Sequence, residues 1–223
     1  YNATADTSTF QNKIFQALAK HRSLQSYALL KELLLQDPPV FENAIEYTTF
    51  FHDIADSLKL AKSLFPEILQ LSTISDYKDD INALLVTLLD SNMITGKDYE
   101  SYFSKIYFDA RIELKKQQGK DEKLMEQESN DDSDDKMTSN NYGNTKTDLD
   151  GYAVLLMPFY EDKAGVKSFF EKLLASKDKL IKLKTTVLLV RNKKYVADSI
   201  LLNLAAEDLY RSRLYKALDH AKL

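Results

Sequence analysis

The residues able to do chemistry are few and far apart. His21, His52 and His220 are the only histidines. None has another histidine one helical turn away, so the zinc-binding helix pattern of metalloproteases is absent. There is no cysteine, which excludes disulfides and thiolate metal sites. Glycine occurs only at positions 96, 119, 143, 151 and 165, too sparsely for a phosphate-cradling loop or a dinucleotide fingerprint. No serine sits in a nucleophile elbow. Two acidic stretches imitate calcium loops. Asp131, Ser133 and Asp135 have ligand spacing, but Lys136 replaces the required glycine and Tyr142 the closing glutamate. Asp148, Asp150 and Gly151 fit better, yet Lys146 and Met157 occupy the first and last ligand positions. The expectation is a chain with no catalytic residue, no metal, no cofactor and no small-molecule substrate, and therefore not an enzyme.

Binding chemistry is better represented. The net charge of −4 hides a strong asymmetry. Residues 120–150 carry 4 basic and 10 acidic side chains, whereas residues 163–223 carry 14 and 6. Within that basic third, Lys193, Lys194, Arg211 and Arg213 are the candidate interaction surface. Nucleic acid is not the expected partner, because the chain as a whole is acidic and Glu207, Asp208 and Asp219 alternate with the cations. The acidic stretch could instead screen the basic third within the molecule. Aromatics are plentiful, at 13 Tyr and 11 Phe. Tyr99, Tyr102, Phe103, Tyr107 and Phe108 gather in one segment, readable as a peptide groove or as wedge packing between helices, the plainer of the two.

These residues must be positioned by helices. Five glycines and four prolines in 223 residues are too few turn-formers for a β-sandwich or barrel. Ser8 with Gln11 makes a capping box, followed by an apolar stripe of Phe10, Ile14 and Leu18. Ser23 caps a second helix containing Tyr27, Leu30, Leu33 and Leu34, stopped near Asp37 by Pro38 and Pro39. Residues 40–51 are helix or irregular. Ser57 to Leu64 is helical, and Pro66 opens a short helix to Leu71. Asp76 caps a helix that buries Ile81, Leu84, Leu85, Leu88 and Leu89 and ends near Asn92. After a turn at Gly96, a helix from Lys97 to Gln118 aligns Tyr99, Phe103, Ile106, Ala110 and Leu114. Order resumes at Tyr152. Val166, Phe169, Phe170, Leu173 and Leu174 mark one helix, and Leu180, Leu183, Val187 and Val190 a stripe on the next. A last hairpin spans Val196 to Ala205 and Glu207 to Leu218.

Between these halves the composition changes. Residues 119–150 have hardly any apolar side chain and so cannot offset their ordering entropy by burial. The expected organisation is an N-terminal helical repeat region, 1–118, a disordered acidic insert, 119–150, and a C-terminal helical repeat region, 151–223. Leu84 to Asn92 resembles Lys184 to Asn192 at an offset of 100 residues, and Leu33 to Asp37 is a weaker third copy. Repeated amphipathic hairpins point to an all-α fold stacked as a HEAT-like α-solenoid, with an irregular bundle as the other arrangement. No run of apolar residues is long enough for a membrane-spanning helix. The chain opens at Tyr1 with neither methionine nor a signal stretch, as a segment of a longer protein does.

Three whole phrases resemble a known group: Asp56 to Pro66 (DSLKLAKSLFP), Lys97 to Lys105 (KDYESYFSK) and Arg191 to Ser199 (RNKKYVADS). They are similar to the helical C-terminal region of large Bacteroidetes-type TraB/GumN family proteins, across nearly the whole chain. That family's proposed metal-dependent hydrolase domain carries glycine–histidine motifs absent here, so the resemblance transfers no catalytic residue. It implies an accessory segment of an exported protein, periplasmic or otherwise extracytoplasmic. The functional expectation is a non-catalytic scaffold that contacts a protein or a neighbouring domain of its own chain. The alternative is an accessory part of a TraB/GumN-type metal-dependent hydrolase.

Overall fold

The computed structural model describes residues 23–36, 57–71, 77–130 and 148–221, with isolated positions among 13–21 and at 54. The expectations for residues 8–11, 38–51 and 76, and for His52, lie outside the described residues. The described residues form helices and no strand. The chain divides into two compact units, 1–102 and 103–223.

In the first unit, α1 spans Leu24–Gln36. Ser23 and Ser26 cap it reciprocally: Ser26 N–H donates to Ser23 Oγ at 3.1 Å, and Ser23 N–H donates to Ser26 Oγ at 3.0 Å. This is the capping-box logic with a serine at the third position. Tyr27 and Leu30 are buried and α1 packs on α3. Helices α2 (Leu58–Ser63) and α3 (Phe65–Leu71) follow, the latter with Pro66 in its first turn, where a missing N–H costs nothing. Helix α4 (Lys78–Asp90) buries Ile81, Leu84, Leu85 and Leu88. Leu89 is only half-buried, and the capping position is Tyr77, with no side-chain cap bond. A 3-10 segment, Gly96–Tyr102, is opened by Thr95, whose N–H and hydroxyl both donate to Asp98 Oδ2 at 2.7 and 2.9 Å.

The second unit begins where the expected single helix from Lys97 breaks. Tyr99 has non-helical angles (φ −123°, ψ 21°), and α5 runs from Phe103 to Asn130. Ile106, Ala110 and Leu114 are buried along it, as the periodicity requires. It then continues twelve residues past the expected end at Gln118. The polarity of Lys120 to Asn130 argues against burial, not against helix, since Lys, Glu, Gln, Leu and Met are all good helix formers. Helix α5 packs on α6 (Asp148–Leu156) and α7 (Ala164–Ala175), and so groups with the C-terminal helices rather than with residues 1–102. The first residues of α6 likewise belong to what the sequence assigns to the insert, of which 131–147 lie outside the described residues.

Helix α8 (Lys179–Arg191) is the centre of this unit, packing on α6, α7, α9 (Asp198–Ala206) and α10 (Asp208–Ala221). The expected single stripe is therefore corrected. Ile181, Leu183, Thr185, Thr186, Leu189 and Val190 are buried around much of its circumference, while Leu180 and Val187 are half-buried. A helix with neighbours on several sides has no single apolar face. Leu183, Leu204 and Leu214 join α8, α9 and α10 in one apolar cluster.

Candidate functional site

Side chains from four helices of the second unit line a half-open pocket of 480 Å³. Its floor is the apolar face where α6, α7 and α8 meet. Leu149, Ala153, Leu173, Ile181 and Leu183 line it, and each is at most 4 % exposed. Half-buried Val154 and Val187 continue the wall. The opening is basic, lined by Lys184 and Arg191 from α8 and by Arg213 and Lys216 from α10. Helical spacing places them: Arg191 is seven residues after Lys184, and Lys216 three after Arg213, so each pair shares a face. Lys184 is neutralised by an ion pair with Asp150 of α6. Arg191, Arg213 and Lys216 are exposed and have no ion pair among the described residues. Three like charges around one apolar pocket repel one another and attract an anion.

The four sequence candidates separate sharply. Arg213 lines this pocket. Lys193 adopts φ 56° just beyond α8, where its N–H closes the helix on Val190 C=O at 2.9 Å. Lys194 Nζ donates to Glu161 Oε1 at 2.5 Å and lies 5.3 Å from the centre of the Tyr160 ring. Arg211 caps α9: its Nε donates to Ala205 C=O at 2.7 Å, and its Nη2 pairs with Asp208 at 2.8 Å. The side chains of Lys194 and Arg211 are thus engaged by an ion pair and a helix end, whereas the Lys193 side chain is exposed. Arg191 and Lys216 were missed, although their spacing from Lys184 and Arg213 is visible in the sequence.

Glu161 is held between two cations, Lys194 first and Lys167 second, whose hydrogen bonds keep its carboxyl below the usual carboxylate range. The Lys167 ammonium is correspondingly raised. Burial pushes the Tyr99 phenol far up, which keeps it neutral. None of these groups faces the pocket.

A second pocket, of 410 Å³, lies between α5 and α7. Tyr107, Phe108, Arg111 and Lys172 are among its walls. Here Phe103 stacks on Tyr107 at 5.6 Å and meets Phe159 at 4.8 Å, which is wedge packing, while Phe108 remains 62 % exposed. Tyr99 and Tyr102 belong to the first unit and are both buried.

His21 is exposed and its Nδ1 lies 3.1 Å from Ser23 Oγ, and His220 stands in the last turn of α10. Among the described residues no three His, Cys, Asp or Glu side chains are grouped to hold a metal ion, and no helix is long and apolar enough to cross a membrane. No family model, curated protein or solved structure matches the chain.

Proposed function

We propose that this chain is a non-catalytic helical-repeat scaffold, built of HEAT-like antiparallel hairpins stacked as an α-solenoid, that contacts another protein or a neighbouring domain. The observation that carries the reading is the packing order of the second unit. Substantial contacts join α5 to α6 and α7, α6 to α8, α7 to α8, α8 to α9 and α10, and α9 to α10. Each partner is one or two places along the chain, the pattern of hairpins stacked in sequence. On this reading the chain is an accessory part of a larger protein, as its TraB/GumN-like phrases imply.

Hydrogen exchange on the full chain under mild denaturant tests the architecture. A stacked array unfolds by nearest-neighbour steps, so the end hairpin α9–α10 should open at lower free energy than α7–α8. A single opening free energy shared by all amides of 103–223 would instead mean an irregular bundle. Stoichiometric metal in the purified chain would overturn the non-catalytic part of the reading.

A further inference from the structure

We infer that the pocket among α6, α7, α8 and α10 binds an amphiphilic organic anion. Its aliphatic part lies on Val154, Val187 and Leu188, and its carboxylate-type head meets Arg191, Arg213 and Lys216. The inference stands on the pocket alone and does not require the solenoid arrangement. Three observations carry it together. The 480 Å³ volume and largely apolar lining match the size of sites that take small organic ligands, roughly 300–1,000 Å³.

The second observation is the state of the cations. Of the four cations that line the pocket, only Lys184 is matched to an acid among the described residues, Asp150 of α6. Arg191, Arg213 and Lys216 at the pocket mouth are not matched within the described residues. Arginine is suited to this role because its planar fork holds a carboxylate through two parallel hydrogen bonds. The third observation is the apolar surface within reach: Val154, Val187 and Leu188 line the pocket and are only half-buried, so an alkyl chain resting on them removes apolar surface from water.

The test uses the full chain and dodecanoate below its micelle-forming concentration, followed by titration calorimetry. Dodecanol and dodecyltrimethylammonium serve as the neutral and cationic controls. Saturable one-to-one binding of dodecanoate is expected, with both controls much weaker. The exposed variant Arg213→Gln/Lys216→Gln should retain the fold and bind dodecanoate at least about tenfold more weakly, since each lost charge-assisted hydrogen bond is worth a factor of that order. Val187→Trp, which fills the pocket while leaving the cations in place, should abolish binding. Equal affinity for dodecanol, or unchanged affinity in the charge variant, overturns the inference. So does binding of an acidic amphipathic peptide by a chain that ignores dodecanoate, which would make the pocket a protein-docking groove.

Discussion

Asp121 and Ser176 stand 55 residues apart in sequence, and the Ser176 hydroxyl donates to Asp121 Oδ2 at 2.9 Å. The same oxygen accepts from the Lys177 N–H at 3.1 Å, while Gln117 Nε2 donates to Asp121 Oδ1 at 2.9 Å. Ser176 Oγ in turn accepts from the Asp178 N–H at 3.2 Å, and Asp178 caps α8 through the N–H groups of Leu180 and Ile181 at 2.8 and 3.2 Å. One carboxylate on α5 thereby fixes the turn that starts the central helix. Satisfying buried polar groups at a turn removes the alternatives that loosely packed helices otherwise have.

Asp121→Ala should therefore cost more than an ordinary surface substitution. It strips partners from Gln117 and Ser176, which are 6 % and 5 % exposed. Groups left buried and unsatisfied cost about 1–3 kcal/mol. In a chain of this size each kcal/mol lowers the Tm by about 2–4 °C. Thermal unfolding of the variant measures the effect, and an unchanged Tm would mean that water replaces the carboxylate without loss.

Two glycines should respond in opposite senses to the same change. Gly119, within α5, has open space where a Cβ would stand and no positive φ. Gly119→Ala should stabilise by about 0.5–1 kcal/mol through helix propensity alone. Gly165, in the first turn of α7, faces the Tyr107 ring, with a Cβ inside contact distance of Oη and 3.0 Å from Cζ. That ring is stiff and stacked on Phe103, so it cannot swing aside as a lysine end would. Gly165→Ala should destabilise by about 1–2 kcal/mol, the usual scale of overpacking. Tyr107→Phe in the same chain should recover part of the loss, and the double-mutant cycle reads that coupling.

Periodicity made the elements legible where a helix has one wet side. On α4 the buried set Ile81, Leu84, Leu85 and Leu88 is the one that spacing identifies. It failed on α8, because a helix surrounded by four others shows no stripe to read. It also failed on Lys120 to Asn130, where low hydrophobicity measures how little a segment buries and says nothing of local helix formation. The pocket was half legible. Arg213 stood out by charge, but Arg191 and Lys216 acquire meaning only when α8 and α10 come together. Conversely, Lys194 and Arg211 lose their apparent freedom to Glu161 and the Ala205 carbonyl, contacts that composition cannot show.

Two helix ends in the chain, at Asn92 and Lys193, close in the same way. Asn92 and Lys193 both take the left-handed conformation, φ 55° and 56°. Asn92 and Met93 donate to Leu89 and Leu88 carbonyls at 3.0 and 2.9 Å, and Lys193 and Lys194 donate to Val190 and Leu189 at 2.9 Å each. Both ends are thus Schellman caps lacking glycine. Left-handed geometry costs a lysine about 1–2 kcal/mol, and the freer unfolded chain offsets roughly 0.4–1 kcal/mol of what glycine would recover. Lys193→Gly should stabilise by about 0.5–1 kcal/mol on balance. Asn92→Gly should be near neutral, because asparagine already tolerates this region. Denaturant midpoints of the two variants compare the caps directly, and equal shifts would refute the strain assigned to Lys193.

The Glu161 cluster sets a pH dependence with a definite sign. Lys194 and Lys167 hold the Glu161 carboxyl down, so its contribution is fully present above the unfolded value, about 4.3, and fades as pH falls through the lower folded value. The Lys167 ammonium is raised by the same carboxylate, so its contribution is present below the unfolded value, about 10.4, and fades as pH rises through the higher folded one. The bridge therefore supports the α7–α8 end of the unit across the neutral range and weakens at both extremes. All its members are partly or well exposed, so salt should shrink the effect. Comparing the Tm of the parent chain and of Glu161→Gln from acid to neutral pH reads this out. The parent should be the more stable near pH 7, with the difference closing as Glu161 protonates. Parallel curves, with a gap that ignores pH, would assign the loss to packing against Tyr160 rather than to charge.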